Sequence, residues 1–187
     1  MAVEADYLVA HPGSCRGQTP EQAIGNLASS VAKAARGLRS NRLALLWEIT
    51  AGQGAALGCR VDELVEIARR TEEAVDFPVA YCLDTAHVFE AGLDFLETAE
   101  ALGFDRVPVI HTNDSKTPYA SRVDRHEQIG RGYIGERAFQ RILTHSQLRD
   151  KAFLIETPIE QDDDDRRNID TLKRLCRRPR TTTTRSS

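Results

Sequence analysis

Five short apolar runs punctuate the chain, at residues 7–10, 43–47, 79–83, 107–110 and 152–155. Each is rich in Val, Leu, Ile, Ala or Tyr. Unbroken apolarity over four or five positions suits a strand buried on both faces, as in a parallel sheet. The stretches between them carry helical signals. Residues 19–36 offer Thr19 as N-cap, Pro20 at the first helical position and Gly37 as a stop. Residues 61–75 place Val61, Leu64, Val65 and Ala68 on one stripe. Residues 93–102 end at Gly103, and 135–143 and 166–175 complete the set. Strands alternating with helices predict βαβ units with right-handed crossovers.

The position just past each run is chemically selective. His11, Glu48, Asp84, His111 and Glu156 each stand directly after one of the five strands. In a parallel barrel all such ends converge on one face, where active sites sit. A ring of two imidazoles and three carboxylates is self-repelling unless a cation or proton intervenes. That donor set suits zinc or manganese. The bland alternative is polar groups capping neighbouring helices, and the cost of desolvating several carboxylates weighs against it. A second cluster lies in loops: His87, three residues after Asp84, and the pair Asp124 and His126. Two histidines and a carboxylate make the ligand set of a zinc with an open position. His145 is expected at the surface near a helix C-terminus. Gly-rich turns at 11–14, 51–54 and 129–135 permit close backbone approach to a ligand, but none matches a P-loop or a dinucleotide fingerprint.

Length and composition narrow the classes. The 187 residues suit one domain, and 41% apolar content is enough for a core. The longest aliphatic or aromatic run, 43–47, is far short of a membrane span. The N-terminus shows no secretory signal, so a cytoplasmic chain with no membrane association is expected. Cys15, Cys59, Cys82 and Cys176 form no CxxC pair and read as reduced thiols. The net charge of −3 is uneven: residues 165–187 hold eight Lys or Arg against two Asp, leaving −9 on the rest. Residues 1–176 are expected to form the domain, with 177–187 as a basic disordered tail or, alternatively, a phosphate-binding arm.

HPGS (11–14), EITAGQG (48–54), CLDTAHVFEAGLD (82–94), HTNDSK (111–116), DRHEQIGRGYIG (124–135) and ETP (156–158) together resemble the endonuclease IV family of apurinic/apyrimidinic (AP) endonucleases. The resemblance runs in order from about residue 5 to 175. It implies an α/β fold, a TIM (β/α)8 barrel of the xylose-isomerase-like type, here only about the last five βα units. It also implies a zinc-dependent endonuclease that cleaves the phosphodiester 5′ to abasic sites in base excision repair. Double-stranded DNA with abasic sites is then the partner, and no obligate protein partner is implied. Three Zn2+ ions are implied, with Mn2+ as an alternative metal. Glu48 matches the carboxylate that bridges two metals and is the catalytic centre, together with water activated there. Asp84, His111 and Glu156 match the other ligands of one of those metals. His87, Asp124 and His126 match the full set of the third.

His11 matches a ligand of the remaining metal, whose second histidine has no counterpart upstream in this chain. Five strands cannot close a barrel of normal diameter, so strands 7–10 and 152–155 are expected to be open edges with exposed apolar faces. A start assigned too late, a partial gene and a short form that pairs with something each account for this. A truncated frame, and an inactive or partial form, are expected. Bound cations would supply the positive charge that an acidic chain lacks for DNA, and an abasic nucleotide costs little to flip out. Two alternatives stand beside the nuclease. One is a single-metal sugar isomerase or epimerase, which needs only Glu48, Asp84, His111 and Glu156; the other is a non-catalytic fragment. The trio His87, Asp124 and His126 favours the nuclease.

Overall fold

The computed structural model describes residues 4–39 and 42–177, so all but Arg177 of the expected basic tail lies outside the described residues. Five parallel strands form one sheet: β1 (Tyr7–Ala10), β2 (Ala44–Glu48), β3 (Val79–Asp84), β4 (Val109–His111) and, last in the chain, β7 (Ala152–Leu154). They stand side by side in the order in which the chain makes them, β1-β2-β3-β4-β7. Helices α1 (Pro20–Ala34), α2 (Val61–Glu72), α4 (Phe95–Leu102) and α5 (Glu136–Leu143) fill the connections, and α6 (Asp164–Leu175) follows β7. No helix among the described residues is long and apolar enough to cross a membrane.

The expected signals act at the start of α1, but that helix ends at Ala34, ahead of Gly37, and on α2 Ile67 is buried in place of the exposed Val65. Thr19 caps α1 in a reciprocal box with Gln22, and Pro20 opens the helix. Two further features have no counterpart in the sequence pattern. The six-residue helix α3 (Thr85–Glu90) starts directly after β3, whose last residue Asp84 is its N-cap; one turn and a half shows no periodicity. The two-residue strands β5 (Asp114–Ser115) and β6 (His126–Glu127) pair antiparallel and are too short to alternate visibly. β4 begins at Val109 rather than 107, because 104–106 form a 3-10 turn and Pro108 has no N–H for the ladder.

Alternation along the strands sorts the side chains onto two unequal faces. Leu45, Trp47, Val79, Tyr81, Leu83 and Ile110 face the helices and join Ile24, Leu64, Ile67, Phe95 and Leu102 in the main core. The other face holds a small cluster, Ala44, Leu46, Cys82 and Val109 with Val9 and Ala80 beside it, and no helix residue contributes to it. The central strands are buried, whereas at the edges Leu8 is 56% and Leu154 50% exposed. The open apolar edges expected at β1 and β7 are therefore present.

Candidate metal centre

The face without helices carries the chemistry. Continuing the two-residue period, Val9 leads to His11, Leu46 to Glu48, Cys82 to Asp84, Val109 to His111 and Leu154 to Glu156. Register then brings these ends together, with Asp84 directly opposite His111 and Glu48 opposite Cys82. Donor atoms of Glu48, Asp84, His111 and Glu156 all lie within 4.8 Å of one another. His111 Nδ1 is 2.9 Å from Glu48 Oε1 and 3.2 Å from Glu156 Oε2, and His11 Nε2 is 3.1 Å from Glu48 Oε2. Glu48, Asp84 and His111 are buried while His11 and Glu156 are exposed, so the cluster has a closed floor and an open mouth.

The loop trio joins it from one side. His87 Nε2 is 3.3 Å from Asp124 Oδ2, and His126 Nε2 is 3.6 Å from Asp124 Oδ1. The imidazoles of His11, His87 and His126 run in sequence, with centroids 5.4 Å and 5.3 Å apart. The division into separate ligand sets is less sharp than the sequence implied. Asp84 lies close to His87 and His126 as well as to His111, and His87 approaches the His11–Glu48 pair as a third donor. The cause of both is α3: its N-cap is Asp84, and His87 sits one turn further on.

The hydrogen-bond pattern fits cation binding. His87 Nδ1 lies 3.0 Å from Ile49 O and His126 Nδ1 lies 3.1 Å from Glu156 O. A carbonyl only accepts, so each Nδ1 carries a proton, and in the neutral ring each Nε2 is left as a lone pair facing carboxylates. His126 Nε2 is buried with no hydrogen-bond partner, and Asp84 Oδ2 stands 3.7 Å away. Acceptors facing acceptors repel, and a divalent cation between them resolves the conflict. The electrostatics agree. Burial pushes the Glu48 carboxyl up, yet His11, His111 and His87 around it hold it far below the usual carboxylate range. Burial opposes protonation of His87, but Asp84, Asp124 and Glu48 raise it to about 11. His111 is likewise raised, by Cys82, Glu156 and Glu48 against the effect of burial. Without another cation, this cluster takes up protons.

Several residues that shape the site carried no assigned role. Asn113 donates to Asp84 Oδ2 at 2.6 Å and accepts from Glu156 N at 2.7 Å, so one side chain orients two candidate ligands. Gln53 Oε1 accepts from Asp124 N at 3.0 Å. Asp114 is buried and accepts from Gly130 N and Ile134 N, both at 2.9 Å, which folds residues 130–134 around it. A Cβ at Gly132 would collide with Ser115 O and the Asp114 carboxylate. This glycine therefore serves a protein contact rather than a bound ligand. The signal for Asn113 and Asp114 was their place just beyond a strand end, two and three residues past the histidine that stands directly there. His145 is half-buried and stacks on Phe104 at 5.1 Å, away from the cluster. A groove of about 350 Å³ between α3, α4 and α5, lined by Phe89, Leu93, Phe95, Tyr119 and Ile142, includes none of the candidate ligands.

Residues 2–177 match the family model of the xylose isomerase-like TIM barrel. A probable endonuclease 4 of Solibacter usitatus is 48% identical over 186 residues, covering 94% of this chain. One of Chloroflexus aurantiacus is 36% identical over 187 residues, covering 92%. The chain spans 64% of the length of each of these relatives. Among solved structures, endonuclease IV of Thermus thermophilus superposes with a TM-score of 0.74 at 35% identity, over 91% of this chain and 61% of that one. A xylose isomerase domain protein of Alicyclobacillus acidocaldarius shares the fold, with a TM-score of 0.65 at 19% identity over 92% and 64% of the two chains.

Proposed function

The chain belongs to the xylose isomerase-like TIM-barrel family, and from that premise we propose that it forms the metal-binding part of an endonuclease that cuts DNA on the 5′ side of abasic sites. The observation that carries the reading is the trio His87, Asp124 and His126, gathered beside the strand-end set. A sugar isomerase or epimerase on this barrel needs only Glu48, Asp84, His111 and Glu156. The endonuclease 4 names of the relatives point the same way.

Zinc or manganese ions held by these residues would supply Lewis acidity at a phosphodiester and lower the cost of deprotonating water. The chain's own residues do the rest. Glu48 stands at the centre, with imidazoles of His11, His111 and His87 directed at its carboxylate, so it is the group best placed to serve two cations. Asn113 holds Asp84 and the Glu156 backbone in fixed relation, which keeps the floor from rearranging as charge changes. Ile49 O and Glu156 O fix the ring orientation of His87 and His126. The exposed His11 and Glu156 flank the mouth through which a phosphate enters.

The test is incision of a duplex with one abasic site, by this chain alone and by the chain joined to the unmatched part of the Solibacter usitatus relative. EDTA-sensitive cleavage 5′ to the lesion by the joined protein is expected. A folded, metal-loaded joined protein that leaves the abasic duplex intact refutes the reading.

A further inference from the structure

Glu90 is buried and titratable, and the chemistry above makes no use of it. It lies three residues after His87 on α3, so both side chains leave the same side of that helix. Its Oε1 lies 2.7 Å from Ser115 Oγ, 3.2 Å from Thr117 Oγ1 and 3.2 Å from Arg125 N, which donates to it. The Glu90 carbonyl accepts from Arg122 N at 3.0 Å, and the neighbouring Phe89 carbonyl accepts from Ala120 N at 3.1 Å. One residue thus ties down the loop at Ser115, Thr117, Arg122 and Arg125. Arg125 lies between Asp124 and His126.

The loop needs tying down. Ala120 and Arg122 adopt φ values of 60° and 54°, the left-handed region that non-glycine residues keep only when surrounding contacts impose it. Their amides are the two pinned to the end of α3. At Gly92, a Cβ would come within 3.0 Å of Ala120 Cβ, so the loop also packs closely on the turn after that helix.

We infer that Glu90 is a positioning residue: it clamps loop 115–125 to α3 so that Asp124 and His126 meet His87, one turn back on the same helix. The inference rests on the metal site proposed above. Only Oε1 takes part, while Oε2 is buried without a partner, so the loop uses an acceptor atom and not the negative charge. Glutamine at this position keeps that acceptor and alanine removes it.

The experiment measures amide exchange across 117–125 in the metal-free chain, and zinc affinity against a competing chelator. It compares the wild type with Glu90→Ala, Glu90→Gln and Thr117→Val. The class of zinc lost in His126→Ala marks the loop site. Glu90→Ala is expected to speed exchange at Arg125 and to weaken the loop-site zinc by about tenfold or more, leaving the strand-end zinc unchanged. Glu90→Gln should restore both. Thr117→Val removes one hydroxyl from Oε1 at a half-exposed position, and should act in the same direction even if Glu90→Ala does not fold. Should His126→Ala lose no zinc, the metal-site reading fails, and the exchange data still decide whether Glu90 clamps the loop. Wild-type exchange in both Glu90→Ala and Thr117→Val, or a Glu90→Gln as impaired as Glu90→Ala, overturns the inference.

Discussion

Glu48, Asp84 and His111 stand at the ends of three neighbouring strands whose backbones are bonded in register, while Asp124 lies on the loop that crosses from β5 to β6 and His126 opens the two-residue strand β6. The strand-end residues need few supports, because a parallel ladder already fixes their spacing. The loop residues are held in part by side chains that can be removed singly, Gln53 on the Asp124 amide and Glu90 on the Arg125 amide, beside the backbone carbonyl of Glu156 on His126. His87 belongs to both regions, being attached to β3 through α3 yet facing Asp124. One half of the site takes its precision from the five-stranded sheet and the other from a two-residue ladder supplemented by side-chain braces. Loss of a strand-end ligand should be severe; loss of a single brace should be graded.

The largest effect is expected at Glu48. In the joined protein, Glu48→Gln removes a negative charge from the centre of the strand-end set and should lower incision of an abasic duplex by about a hundredfold or more, with DNA affinity falling less. Near-normal incision rates in steady-state assays would remove Glu48 from its central place. Metal content sharpens the contrast next. His11 and Glu48 lack a further dedicated ligand, because His87 is already committed to Asp124. Elemental analysis of dialysed protein should therefore find about two tightly held metals per chain; three would show that His87 or another donor completes the weak site. Asn113→Ala comes third, since it frees Asp84 and Glu156 together. Affinity for the strand-end metal should drop about tenfold, and chelator competition should show the loop metal changed less.

The smallest effect is a pH trend in chain stripped of metal by a chelator. The folded-state value of His87 is raised to about 11 by Asp84, Asp124 and Glu48, acting against burial. Its protonation therefore stabilises the fold fully below about pH 6.5, the ordinary imidazole value. That contribution is lost as pH rises toward 11. Thermal melting of the metal-free chain should shift down between pH 7 and 10, and added zinc should reverse the trend because ligands bind it deprotonated. A melting temperature that rises with pH in the metal-free chain would contradict the assigned environment of His87.

Legibility in the sequence divided along the same line. The five strands were readable from apolar runs, and the strand-end residues from their place directly after them. The chemistry of the loop trio was readable as residue types, while its braces were not. Glu90 sits in a stretch where no periodicity marks α3, and Asn113 is two residues past the strand-end histidine. Gln53 acts on a residue 71 positions away. Such contacts depend on which loops fold over which helix, and residue type at one position carries no trace of it.

By itself the sequence determined the alternation of strands and helices, the caps of α1, and the donor types gathered at the strand ends, because each rests on local periodicity or on a neighbour a few residues away. Tertiary structure alone decided that Asp84 serves two groups of histidines, that His87 turns Nε2 toward Asp124, and that His126 Nε2 is left without a partner. Those outcomes depend on strand register and on a loop docked across α3, and both are set by the balance of hydrogen bonds and burial over the whole sheet.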